Sequence, residues 1–149
     1  MAAWHSVCTS YATMVADLLQ PGEVNVLTTR ADWAWPQAVS NIFRPRGVNL
    51  LVADGIDQFV NVLRHRRIHT TIVDTDCESA GLWALKIIRI EYPLMPCILL
   101  TSDATRVMLE EALQLDAFSV IDKPVDMNIL KDQLNRLFIK KFNSHIFSE

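Results

Sequence analysis

Two hydrophobic periods alternate along this chain. Short runs of apolar and β-branched residues at 24–28, 48–53, 68–73, 97–100 and 118–121 have the length and composition of β-strands. The segments after them carry apolar residues at helical spacing. Trp35, Ala38, Val39, Ile42 and Phe43 share one face of a helix that Asp32 can cap and whose first turn tolerates Pro36. Ile56, Phe59, Val60 and Leu63 form the next stripe, after the Asp54-Gly55 turn. Leu82, Leu85 and Ile88 mark a helix over 79–91, stopped near Pro93, and residues 105–115 form another. Asp126 can cap a last helix with Leu130, Leu134, Leu137 and Phe138 inward. The run at 48–53 is nearly continuous in apolar residues, the pattern of a strand buried on both faces.

Five strand–helix units in succession predict an α/β fold, a doubly wound parallel sheet with helices on both faces. Right-handed crossovers leave few topologies, and a five-stranded sheet suits the flavodoxin-like order 2-1-3-4-5, a (βα)5 arrangement. Residues 1–22 form a helical extension before this domain, with Tyr11, Val15, Leu18 and Leu19 on one side and Pro21-Gly22 as its stop. That extra N-terminal helix either packs on the domain or serves a partner. Residues 23–142 are the domain itself, and 143–149 a short C-terminal tail.

Composition narrows the function classes. Of 149 residues, half are hydrophobic and 21% charged, which predicts a globular fold with a sizeable core and excludes disorder. Seventeen acidic against 14 basic residues leave a net charge of −3, so no nucleic-acid partner is expected. The basic cluster Arg64-His65-Arg66-Arg67 suits the solvated C-terminal end of a helix. Cys8, Cys77 and Cys97 are odd in number and lack zinc spacing, which predicts reduced thiols in a cytoplasmic protein. No apolar run is long enough to span a membrane, and nothing at the N-terminus resembles an export signal.

The polar residues with chemical potential stand where three of the strands end. Asp74 closes the third, Thr101 and Ser102 follow the fourth, and Lys123-Pro124 follows the fifth. In a parallel sheet those C-terminal ends share one edge, the edge at which ligands collect. A carboxylate, a hydroxyl and an ammonium therefore converge there, with Asp76 close behind Asp74. No glycine-rich phosphate loop follows the first strand, where Thr28-Thr29-Arg30-Ala31-Asp32 stands instead, so a small flavodoxin-like enzyme or nucleotide binder is the least favoured reading.

Over residues 24 to about 140 the chain resembles the receiver domain of two-component response regulators. The resemblance rests on Asp74, Gly81-Leu82, Thr101-Ser102, Lys123-Pro124 and the Asp54-Gly55 turn, in order on five units. It implies that Asp74 stands at the phosphoacceptor position and Thr101 at the switch hydroxyl. It further implies that Lys123 and Ser102 bind phosphate, with Arg30, Asp32, Asp76 and Pro124 lining the site. No enzyme activity is expected beyond receiving a phosphoryl group. Departures accompany these matches. The family's paired acids after the first strand, which hold Mg2+, are Arg30 and Ala31 here in an ungapped reading, or Thr28 and Thr29 after a two-residue shift. The switch aromatic of the fifth strand is Val120, and the loop after Asp74 is the polar Thr75-Asp76-Cys77-Glu78.

Asp32, Asp74 and Asp76 are the candidate metal ligands left, so the expectation is no cofactor and weak Mg2+ binding or none. The favoured reading is a stand-alone atypical receiver, or pseudo-receiver, acting through protein–protein contacts. A conventional phosphorelay receiver phosphorylated on Asp74 is the alternative. The expected partner is a histidine kinase or an output protein, a homodimer stays open, and no membrane contact is expected.

Overall fold

The computed structural model describes residues 23–29, 39–76 and 81–148. Five parallel strands, β1 (Val24–Thr29), β2 (Val48–Ala53), β3 (Thr70–Asp74), β4 (Cys97–Thr101) and β5 (Ser119–Asp122), make one sheet in the order β2-β1-β3-β4-β5. Among the described residues four α-helices connect or follow them: α1 (Ile56–His65), α2 (Gly81–Glu91), α3 (Arg106–Gln114) and α4 (Met127–Phe142). The predicted strand order is the observed one. The predicted helix over the N-terminal 22 residues, and the proposed Asp32 cap with Trp35 and Ala38, lie outside the described residues. Among the described residues, no helix is long and apolar enough to cross a membrane.

The two-residue period of the strands divides the core between the faces of the sheet. Val26, Ile72, Ile98, Leu100 and Ile121 point to one side, where Ile42, Phe43 and the α4 residues Leu130, Leu134, Leu137 and Phe138 cover them. Leu27, Val73, Leu99 and Cys97 point to the other, against Phe59 and Leu63 of α1, Ala84, Leu85 and Ile88 of α2, and Ala112 of α3. All four apolar positions proposed for α4 are buried, and Asp126 caps it by accepting hydrogen bonds from the N–H groups of Asn128 (2.8 Å) and Ile129 (3.3 Å). Burial also raises the Cys97 thiol to about 11, which keeps it protonated and unreactive in the fold.

One strand departs from its expected environment. β2 is not buried on both faces: it lies at the edge of the sheet, and Val52 is 46% exposed. The doubly buried strands are β1, β3 and β4, which have neighbours on both sides and a core cluster on each face. A continuous apolar run reports hydrophobicity and not position in the sheet, so it could not separate an edge strand from a central one. Before β2, the chain makes a π-helical turn at Val39–Phe43 and a 3-10 turn at Arg44–Arg46, and leaves through Gly47 at φ +68°. At the next turn Gly55 holds φ +96° before α1, a conformation that favours glycine over any L side chain.

The basic cluster falls where its charge suits the helix dipole. Arg64 and His65 occupy the last turn of α1, Arg64 pairs with Glu91 at 2.7 Å, and Arg66 lies 3.7 Å from Glu23. Arg89 staples the loops at the N-terminal edge of the sheet. Its guanidinium donates to the carbonyls of Leu115 (2.7 Å), Pro93 (2.8 Å) and Met95.

At the same edge, a half-buried His69 accepts a hydrogen bond at Nδ1 from the Asn25 N–H (3.2 Å) and meets the Phe142 ring edge-on at 5.7 Å. Burial, and after it the nearby Arg67 charge, hold the His69 imidazolium below its ordinary pKa. The unfolded chain therefore takes up this proton before the native one does. Stability is full above the unfolded value of about 6.5 and falls as pH drops below it, levelling once the native imidazole protonates. We expect the melting temperature to decline between about pH 7 and pH 5.5, and the decline to flatten in His69→Asn. Equal slopes for the two proteins would assign the decline to other groups.

Candidate functional site

The C-terminal ends of β3, β4 and β5 bring the acidic, hydroxyl and ammonium groups together as the strand register requires. Asp74 pairs with Leu100 and Thr101 with Asp122, so Asp74, Thr101 and Lys123 leave the sheet at neighbouring positions along one edge. The Asp74 carboxylate is nearly enclosed, with its side chain 6% exposed, and Lys123 Nζ stands 2.7 Å from its Oδ2. Lys123 is brought over the site by the end of β5, where its own N–H donates to the Thr101 carbonyl at 2.8 Å. The Lys123–Pro124 peptide bond is cis.

Asp76 completes the charge balance. The turn after β3 returns the chain so that the Asp76 N–H donates to Asp74 Oδ1 at 2.9 Å, an Asx-type turn. Its carboxylate then reaches Lys123 Nζ at 3.0 Å and accepts the Ser102 N–H at 3.0 Å. One ammonium thus bridges two carboxylates. Partial desolvation acts against the Asp76 charge, but the hydrogen bonds from Lys123 and Ser102 outweigh it and hold the carboxyl below its ordinary range. For Lys123, desolvation is likewise outweighed by its two carboxylate partners, and its pKa stands above the usual lysine value.

The remaining groups brace the turn. Thr101 is buried, and its hydroxyl accepts the Asp103 N–H at 3.2 Å, shaping the chain as it leaves β4. Thr75 is tied to the Leu100 carbonyl by both its N–H (2.9 Å) and its hydroxyl (3.0 Å). Thr29, at the end of β1, accepts the Asp74 N–H on its own hydroxyl at 2.9 Å. This satisfies a buried donor where the β1–β3 ladder has already stopped at Thr28↔Ile72.

Of the residues singled out in the sequence, Asp74, Asp76, Ser102 and Lys123 form one connected cluster, with Thr101 and Pro124 adjoining it. Arg30 and Asp32 lie outside the described residues. Ser102 contributes through its side chain as well as through its backbone N–H. The contact between Thr29 and Asp74 was not foreseen in the sequence, and it follows from the register of β1 against β3. Chemically, the cluster presents two carboxylates that share one ammonium, each also accepting one backbone N–H, and an ammonium with backbone N–H groups is a donor set that suits an oxyanion.

Comparison with known proteins agrees with this fold. A family model, the response regulator receiver domain, matches residues 33–135. An NtrX-like response regulator of Rickettsia bellii is 29% identical over 101 residues, which cover 66% of this chain and 21% of that protein. The chain spans about a fifth of the length of the curated relatives it matches. Among solved structures, the signal receiver domain of an HD domain-containing protein from Pseudomonas fluorescens superposes with a TM-score of 0.72 at 20% identity, covering 83% of this chain and all of that one (100%). A CheY-like receiver domain protein from Methanospirillum hungatei gives a TM-score of 0.72 at 17% identity, over 82% of this chain and 98% of its own. At such identities these two likenesses concern the fold.

Proposed function

The chain belongs to the response regulator receiver domain family, and from that premise we propose that it is an atypical receiver, a pseudo-receiver whose signalling state does not depend on phosphate at Asp74. Receiver domains are signalling modules of two-component systems and interact with kinases and output domains. In this reading the chain acts through such protein–protein contacts, with a histidine kinase or an output protein as its partner. The observation that carries the reading is the state of Asp74: Lys123 takes one of its oxygens and the Asp76 N–H the other.

The donor set argues in the same direction for the metal. Mg2+ prefers octahedral oxygen coordination and is held through one or two carboxylates besides its waters. At the end of β1 stand the neutral hydroxyls of Thr28 and Thr29, the second committed to the Asp74 N–H. Asp74 and Asp76 both face the Lys123 ammonium, which repels a divalent ion. Among the described residues no cluster of three His, Cys, Asp or Glu side chains forms a metal site. These residues do not fit Mg2+, and no step of the reading passes through it.

The test is incubation with acetyl phosphate, with and without Mg2+, followed by intact mass measurement. We expect no phosphoryl adduct under either condition. Stoichiometric phosphorylation that disappears in Asp74→Asn would overturn the reading and establish the alternative, a conventional phosphorelay receiver.

A further inference from the structure

The position of the Asp76 carboxylate has a meaning of its own. An oxyanion placed against the exposed side of Asp74 would seek the nearest donors, the Lys123 ammonium and the Ser102 N–H. Both already serve Asp76 Oδ2, at 3.0 Å each. The same residue fastens itself to Asp74 through its backbone N–H, so its carboxylate does not swing freely on a loop. Its side chain keeps 33% of its surface exposed, which places it at the mouth of the site.

We propose that Asp76 is a resident anion: its carboxylate fills the oxyanion-binding donors beside Asp74 and holds the ends of β3, β4 and β5 in their anion-bound arrangement. The inference rests on reading Asp74 as an acceptor-like position, and it assigns to Asp76 the exclusion of external oxyanions from it. Three chain ends are joined through this one side chain. It comes from the turn after β3, Ser102 follows β4, and Lys123 follows β5. An occupant supplied by the chain is present at unit stoichiometry and needs no donor molecule. A phosphate group would have to displace a carboxylate that already has an ammonium and an amide, and would meet its repulsion first.

The experiment compares Asp74→Asn with Asp74→Asn/Asp76→Asn, using inorganic phosphate as the probe and the Ser102 amide resonance as the readout. The Asp74 charge is absent from both, so repulsion from the acceptor position does not enter. In the single variant Asp76 retains the donors, and we expect the Ser102 amide to stay unmoved as phosphate is added. In the double variant it should shift saturably, with phosphate bound at least about tenfold more tightly, the change expected when one like charge leaves the site. Equal responses in the two proteins, or none in either, would overturn the proposal. If the double variant fails to fold, Asp74→Asn/Asp76→Ser carries the same comparison. Covalent phosphorylation of the natural chain, read by mass, tests the pseudo-receiver reading separately, since neither variant keeps the Asp74 carboxylate.

Discussion

Replacing Phe147 by alanine will destabilise the fold by about 3 kcal/mol, a loss of the size of a core aromatic truncation, although the residue stands near the end of the chain. Terminal residues usually fray and tolerate change. Here Asn143 adopts a left-handed conformation at φ +50° and donates its N–H to Ile139, and the Ser144 N–H returns to Phe138. The reversed segment carries Phe147 back against α4 until the ring is 1% exposed. It packs edge-on to Phe138 at 4.9 Å and to Phe43 at 6.1 Å, with the Arg46 guanidinium 6.0 Å from its centre. Truncation removes the transfer energy of the ring and opens a cavity between two other aromatics, and the tail can collapse only partly to fill it. Urea unfolding followed by far-UV circular dichroism measures the difference. A loss below about 1 kcal/mol would show that the segment peels away at little cost.

Lys123→Met will cost about 2–4 kcal/mol at neutral pH, because it leaves two carboxylates facing each other without their shared cation. Asp74 bears most of this penalty, being nearly enclosed, whereas the 24% exposure of Lys123 moderates it. The pH dependence carries a sign. The Asp76 carboxyl is held below its ordinary range in the native protein, so its contribution is present above the unfolded carboxylate pKa and lost as pH falls through the lower native value. Removing Lys123 removes the main partner that holds it there. The stability gap between natural protein and variant should therefore narrow as pH falls from about 5 to about 3. Asp74→Asn in the Lys123→Met background should recover part of the loss, since it removes the buried uncompensated charge. Denaturant unfolding across this pH range is the measurement. A gap that stays constant with pH would mean that Lys123 contributes by packing alone.

Much of the fold was legible in the sequence because parallel α/β architecture writes two distinct periods into the chain. The stripe Leu130, Leu134, Leu137 and Phe138 has one physical solution, a helix with that face inward, and so did the cap at Asp126. The meeting of Asp74 with Lys123 followed from topology, since the C-terminal ends of parallel strands lie on one edge. What was not legible depended on turn geometry and on position within the sheet. Asp76 follows no period, and only the Asx-type turn shows that it bends back onto Lys123 and Ser102. Ser102 acts partly through its N–H, which every residue except proline has, and that part of its role carried no signal in the sequence. Phe147 lies beyond the last helical stripe, and nothing in its spacing announced that the chain would reverse at Asn143. The exposure of β2 was hidden for the opposite reason, because an edge strand with one covered face can be as apolar as a central one.

The placement of β1 between β2 and β3 also constrains the order in which this molecule can be made. As the chain emerges from a ribosome, β1 is made before β2, its neighbour on one side. Its other side is complementary to Thr70, Thr71 and Ile72, which are translated only after β2 and α1. Until they arrive, the sheet consists of the β1–β2 pair, and a two-stranded ribbon is too small to be stable in water by itself. The apolar row destined for the centre of the sheet waits uncovered through that interval. The central pairing of the sheet therefore forms only with the arrival of β3, and the uncovered side of β1 is open to aggregation and to chaperones until then.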